Sequence, residues 1–293
     1  MSIRQFRPIL IKSTWQLYLA LMAGKRAQLR LRQYIFSNAA FRRLPKREQR
    51  FFVRLALISD DLRHLHHLIL HARVSIRAAR TAVENVVALH QLIFALRIYY
   101  GTLNESWEVI ETGWHGTKLS RKLHTGLSTE AKQSLKALKR YFEHDNLTKR
   151  IRHNFAFHFS DEPIREALQY RSLGENDGFV TGGDQANIFY MFAENVRNRA
   201  MLLKTGNVDL NDPQQVRGAV RKLYDEGLRI SENFTAFANA VMVAIAKRLN
   251  AKTQDFSSSA VADLSAVTPV IFINAKSILK IENPDANGPT PTE

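Results

Sequence analysis

The sequence predicts an all-α fold, an antiparallel helical bundle with long central helices and a disordered C-terminal tail. Apolar residues recur at helical spacing through most of residues 46–250, and no run of alternating strands or internal repeat interrupts them. The chain has 293 residues and is 45% hydrophobic, enough to bury a core. Its last twelve residues, ENPDANGPTPTE, have the polar, Pro-rich composition of a disordered tail.

Residues 1–45 form the first predicted unit, built on a basic amphipathic helix over residues 9–36. Leu17, Leu21 and Leu31 lie near one stripe of this helix, and Lys25 and Arg30 flank it. Packing on the rest of the protein is the common fate of such a helix, and association with a membrane surface is the alternative.

Residues 46–250 form the predicted bundle, with a possible sub-boundary near the Gly-containing segment 173–183. A C-terminal extension that includes the tail follows over residues 251–293. Capping residues and Pro positions set the helix ends, with Ser128 or Thr129, Asn146 and Asp212 as predicted N-caps. Helices are predicted over about 46–72, 75–112, 128–144, from 146 through the motif described below, 163–172, 184–203 and 212–250.

The positive charge is concentrated in the first third of the chain. Residues 1–100 contain 18 Lys and Arg against four Asp and Glu, whereas the remainder contains 24 against 23, for a net charge of +15. A field of this sign attracts polyanions; nucleic acid is the natural candidate, and an anionic membrane is the competitor. The alternative is a solvated basic face that only keeps the protein soluble.

Several classes of site and location are disfavoured by composition. The chain has no cysteine, so disulfides, zinc–thiolate sites and cysteine nucleophiles are excluded. His64, His67 and His71 share one helix face and could ligate a metal in principle, but carboxylates lie only one turn earlier, which favours a polar helix face. We also predict no signal peptide, no integral membrane segment and a cytoplasmic location.

The stretch 146–160, NLTKRIRHNFAFHFS, combines basic, polar and aromatic residues. Arg152 and His158 are the candidate catalytic pair, because an arginine and a histidine are a sufficient minimal set for cleaving RNA without a metal or cofactor. An imidazole can take a proton from a ribose 2′-hydroxyl or give one to the leaving oxygen, and a guanidinium can hold phosphate oxygens. Lys149, Arg150 and Asn154 are the candidate substrate-binding residues.

The spacing within this stretch constrains the site. On an ideal helix, Arg152 and His158 are separated by roughly 240°. They can converge on one ligand if the helix ends or bends near Phe157, or if two copies meet across a dyad. The alternative is a basic surface helix in which His158 packs beside Phe155 and Phe159.

The Arg152-His153-(x)4-His158 pattern resembles the Arg-polar-(x)4-His motif of the HEPN superfamily, whose domains are antiparallel bundles of four or five helices. The resemblance covers about fifteen residues. It implies a metal-independent endoribonuclease, active as a homodimer in which the motif helices face each other. Arg152 would bind the scissile phosphate, His158 would act as acid and base, and His153 would help to orient them.

The resemblance also implies a toxin or phage-defence role, with RNA as target and a possible antitoxin protein as partner. Two features depart from the family pattern. His153 stands where Asn is commoner, and both terminal regions lie outside a minimal domain. A second hypothesis is a non-catalytic helical nucleic-acid or partner-binding protein, such as an inactive HEPN-like scaffold, which would use the basic first third.

Overall fold

The computed structural model is mainly α-helical, and it describes residues 29–156, 161–169, 178–179, 181, 188–206 and 208–258. The long helices α2, α3 and α9 form the centre of the bundle. The elements are β1 (Leu29–Ile35), α1 (Asn38–Arg42), α2 (Lys46–Ala78), α3 (Ala82–Gly113), α4 (Lys118–Leu123), α5 (Thr129–Phe142), α6 (Leu147–Ile151), α7 (Asp161–Gln169), α8 (Met191–Leu203), α9 (Pro213–Arg248) and β2 (Lys252–Ser258).

Helix α3 is one of the long central helices that the sequence predicts, but it begins at Ala82 and not at residue 75. A capping box causes the later start: the Thr81 hydroxyl accepts from the backbone N–H of Glu84, whose carboxylate accepts from the backbone N–H of Thr81. By length and composition alone, Val83–Gly113 qualifies as a membrane span, but 67% of its most apolar window is buried inside the protein. The absence of a membrane segment therefore stays a prediction.

Helices α2 and α3 form an antiparallel pair joined by a three-residue connection. At the open end of this pair, Arg47 donates to the Thr112 carbonyl at 2.9 Å. The Phe51 ring lies 6.4 Å from the Trp114 ring, centroid to centroid. Gly113 permits this approach, because a Cβ at that position would lie 2.1 Å from Phe51 Cδ2.

Helix α9 begins where its sequence predicts, with the Asp212 carboxylate accepting from the backbone N–H groups of Gln214 and Gln215. It packs on α3 through Tyr100, whose hydroxyl donates to the Leu223 carbonyl at 2.7 Å. Its last turn contacts the first turn of α2, where Arg248 donates to the buried Glu48 carboxylate at 3.0 Å.

One prediction about the ends of the bundle is wrong. Residues 29–35 do not continue a helix; they form β1, which pairs antiparallel with β2 in register from Leu29↔Ser258 to Ile35↔Lys252. Arg32 reinforces the pair through a bidentate contact with Asp255 at 2.6 and 2.9 Å. Residues 9–28 of the predicted helix and 259–293, including the predicted tail, lie outside the described residues.

Other boundaries differ locally. Residues 114–127, predicted as a loop, contain α4 and a 3-10 turn at His124–Gly126, because the Thr117 hydroxyl caps α4. Helix α7 begins at Asp161, before the predicted Pro163. Helix α8 begins at Met191, not at 184. Most of the 173–183 segment lies outside the described residues.

Candidate functional site

The motif segment begins as a short helix and then widens into a π-helical turn. The Asn146 side chain accepts from the backbone N–H of Lys149 at 2.9 Å, which confirms the predicted N-cap of α6. The π-helical turn Arg152–Ala156 follows, anchored by the buried Phe155 and Ala156. An i→i+5 turn contains an extra residue, and such turns frequently occur at functional sites. His158 lies outside the described residues.

Arg152 lies against α3 and binds Glu105. Its Nη2 donates to Glu105 Oε1 at 3.1 Å, and its Nε is 3.4 Å from the same oxygen. The two side chains are 29% and 38% exposed. For Glu105, Glu108 and Glu111 the sequence left two interpretations open, pairing with the basic motif helix or facing water, and favoured the second. For Glu105 the structure shows the first. Glu108 accepts from the side chain of the buried Asn104 at 3.1 Å.

The three predicted substrate-binding residues make structural contacts within the protein. Lys149 Nζ donates to the Phe142 carbonyl at 2.7 Å, at the C-terminal end of α5. Arg150 binds the Asp145 carboxylate through two nitrogens at 2.6 and 2.9 Å. Asn154 donates to the Arg150 carbonyl at 2.8 Å.

These contacts show that the predicted site residues are directed to different parts of the protein. Arg152 is directed to α3, whereas Arg150 is directed to the α5–α6 connection and the end of α8, where Nη1 lies 3.4 Å from the Lys204 carbonyl. The Arg150 hydrogen bond holds the pKa of Asp145 below its usual range. His153 is exposed beside Arg152. The structure therefore brings Arg152 together with Glu105 and does not bring Lys149 or Arg150 to the same place.

A second basic region surrounds the start of α2. Lys46 and Arg50 lie near the N-terminus of α2, where the helix dipole favours anions, whereas Arg42 and Arg43 end α1, where it favours cations. The members of this α2 basic cluster are Arg42, Arg43, Lys46, Arg50 and Arg54.

The histidines of α2 lie farther along the same helix. His64 Nε2 is 2.8 Å from Nη2 of Arg63, which also binds Asp60. Across the described ranges, no group of three or more His, Asp or Glu side chains is arranged to hold a metal ion.

Comparison with protein-family models, with curated proteins and with solved structures finds no match to this chain. The candidate site therefore depends on the residues and their geometry. Glu105 is the residue that sequence reasoning did not select. The available signal was the series Glu105, Glu108 and Glu111 near the end of α3, but the partner of Glu105 is 47 positions away in the sequence.

Proposed function

We propose that this protein is a metal-independent endoribonuclease of the HEPN type, which cleaves RNA by attack of the ribose 2′-hydroxyl on the adjacent phosphate. The observation that carries the proposal is the half-buried Arg152 held by Glu105 on a π-helical turn. A guanidinium has five N–H donors in a fixed fork. Glu105 takes donors from two nitrogens through a single oxygen, which leaves three N–H groups for a phosphate.

Glu105 has a positioning role in this proposal. A surface arginine samples many rotamers, and a fixed carboxylate reduces the loss of side-chain entropy when phosphate binds. Arg152 stabilises the charge that builds on the phosphate oxygens in the transition state. His158 supplies the proton transfers, and the exposed His153 helps to orient the groups.

The active form in this proposal is a homodimer, in which Arg152 of one copy and His158 of the other can act together across the dyad. The cellular role is that of a toxin or a phage-defence factor in the cytoplasm, with an antitoxin protein as a possible partner. The basic first third of the chain attracts RNA to the surface.

A second candidate function is nucleic-acid binding without cleavage. The α2 basic cluster favours it, because exposed cations can bind phosphates without a catalytic group. The contacts of Lys149, Arg150 and Asn154 also agree with binding without cleavage. These side chains bind other groups of the protein and stabilise the fold without a ligand.

The deciding experiment is cleavage of a mixed RNA by the purified protein in excess EDTA, beside Arg152→Ala and His158→Ala. Arg121→Ala and His124→Ala are matched controls, because both side chains are exposed and lie outside the motif. The endoribonuclease proposal expects cleavage by the wild type and both controls, loss in both motif variants, and products that end in a 2′,3′-cyclic phosphate.

Binding without cleavage gives a different pattern. RNA affinity would be the same in the wild type and the motif variants, would fall steeply with salt, and would decrease in an Arg43→Gln/Arg50→Gln double variant. That result would reject the endoribonuclease and support the second candidate.

A further inference from the structure

A groove lies where the end of α5, the start of α6, the end of α8 and the middle of α9 meet. Its volume is about 350 Å³, within the range of small-molecule sites. The groove is open along one side. It is lined by Arg140, Tyr141, His144, Asp145, Asn146, Leu147, Arg150, Lys204, Thr205, Lys222 and Glu226.

The lining has an excess of positive charge. Four Lys and Arg side chains face two carboxylates. The carboxylates are already engaged: Asp145 binds Arg150, and Glu226 accepts from the Tyr141 hydroxyl at 2.6 Å. Arg140 and His144, one helical turn apart, have no hydrogen-bond or ion-pair partner for their side chains within the described ranges.

Part of this charge has a structural role. Lys222 Nζ donates to the Thr205 carbonyl at 2.7 Å, just beyond the end of α8, and Lys204 Nζ binds Glu166 at 2.9 Å. Cations near helix C-termini are favourable there. Arg140 lies in the last turn of α5, where the helix dipole favours its charge, but within the described residues its side chain donates to no carbonyl.

A second groove of about 330 Å³ continues from the first, and Thr205 and Lys222 line both. Lys222 is the only charged side chain in its lining. The other members are Gly206, Val208, Gln215, Gly218 and Ala219. The combined groove therefore has a cationic end and an uncharged end, joined at Lys222.

The glycine at position 218 is evidence that a ligand occupies the uncharged end of the groove. Glycine inside a helix costs roughly 1 kcal/mol relative to alanine, so it usually reflects close packing. At Gly218 nothing lies within 4 Å of the position that a Cβ would take. No neighbouring group in the described part of the protein requires a glycine there, and its absence of a side chain keeps the groove open.

We infer that the groove binds a small phosphate monoester with an uncharged organic part. A phosphate monoester carries about −1.5 to −2 charges at neutral pH, which complements the excess of positive charge in the first groove. Arg140 binds the phosphate, Lys222 lies between phosphate and organic part, and the organic part occupies the space beside Gly218. The site is separate from Arg152 and does not depend on RNA cleavage.

The test is ligand-induced stabilisation of the full chain, measured by thermal unfolding with adenosine monophosphate, ribose 5-phosphate, adenosine, ribose and inorganic phosphate. We expect adenosine monophosphate, ribose 5-phosphate or both to raise Tm, whereas adenosine and ribose, which carry no phosphate, do not. The ester that acts distinguishes a nucleotide from a sugar phosphate. No shift with either ester, or an equal shift with inorganic phosphate alone, would overturn the inference.

Three variants assign the site. Arg140→Gln weakens ester binding by about tenfold, the usual effect of losing one charge-assisted hydrogen bond. Lys139→Gln, which removes a neighbouring cation outside the groove lining, does not change binding. Gly218→Leu abolishes binding by filling the groove, and the unliganded protein retains or gains stability because leucine favours a helix. Equal binding by Arg140→Gln and the wild type would refute the assignment.

The proposed ester site and the proposed endoribonuclease activity can be tested independently of each other. Arg152→Ala retains ester binding and Arg140→Gln retains RNA cleavage, because the two arginines contact different parts of the protein.

Discussion

The Arg152 guanidinium lies 3.1 Å from the Glu105 carboxylate and joins the motif segment to the central helix α3. An ion pair whose side chains are still partly exposed, as these are, contributes only about 1 kcal/mol to stability. The pair is therefore better explained by the orientation that it gives to Arg152 than by its contribution to folding.

Glu105→Gln tests this positioning role. We expect RNA cleavage to fall by roughly tenfold, because an amide binds the guanidinium less strongly than a carboxylate. The free energy of unfolding should change by less than about 1 kcal/mol. Initial cleavage rates and urea unfolding measure the two effects. Glu111→Gln, at an exposed site on the same helix, should alter neither, and equal rates in both variants would contradict the role.

Asn146→Ala should destabilise the protein and reduce activity together. Its side chain caps α6 and also donates to the carbonyls of Tyr141 at 3.2 Å and His144 at 2.9 Å. We expect a loss of about 2 kcal/mol in urea unfolding, at the upper end for N-caps. Ser128→Ala, which removes only the cap of α5, should cost about 1 kcal/mol. An equal cost for both variants would show that the two additional hydrogen bonds contribute nothing.

Gly113→Ala should destabilise the junction of α2 and α3. The new Cβ would lie 2.1 Å from Phe51 Cδ2, and the buried ring has little room to move. The cost should be about 1–3 kcal/mol, as for other overpacked sites, with an unchanged urea m-value. Gly126→Ala is the control, since nothing lies within 4 Å of its Cβ position. A neutral effect of Gly113→Ala would mean that the Phe51 ring can repack.

Acid should destabilise the protein through His66. Burial, with smaller contributions from His67 and Arg73, lowers the pKa of His66 from 6.5 to about 4. Between these values the unfolded chain binds more protons than the folded one, so the free energy of unfolding falls as pH falls from 6.5 towards 4.

The loss from His66 should be roughly 3 kcal/mol by pH 4. Urea unfolding of the wild type and His66→Gln across this range measures the difference. The variant should lose less stability on acidification, whereas His64→Gln, at an exposed position, should follow the wild type. Parallel pH profiles for the wild type and His66→Gln would rule out this source of acid sensitivity.

The predictions that succeed depend on neighbours in the sequence. The caps at Ser128, Asn146 and Asp212 are confirmed, because a cap bonds to backbone groups two or three residues away. The all-α class and the buried α3 also follow from local apolar spacing. The predicted start at residue 75 is wrong, because the capping box at Thr81 sets the boundary.

Pairings between distant segments could not be predicted in the same way. The partners Arg32 and Asp255 are 223 positions apart, and nothing in residues 29–35 alone identifies β2 as their neighbour. A strand depends on its partner for hydrogen bonds, whereas a helix satisfies its own.

By itself, the sequence determined the helical class, the principal caps and the basic character of the first third, since these depend on local backbone bonding and composition. Only the tertiary structure decided that Glu105 holds Arg152, that Lys149 and Arg150 serve the fold, and that Arg140 and Lys222 line one groove. Side chains far apart in the chain meet only when helices pack, and packing depends on the whole apolar surface of the bundle.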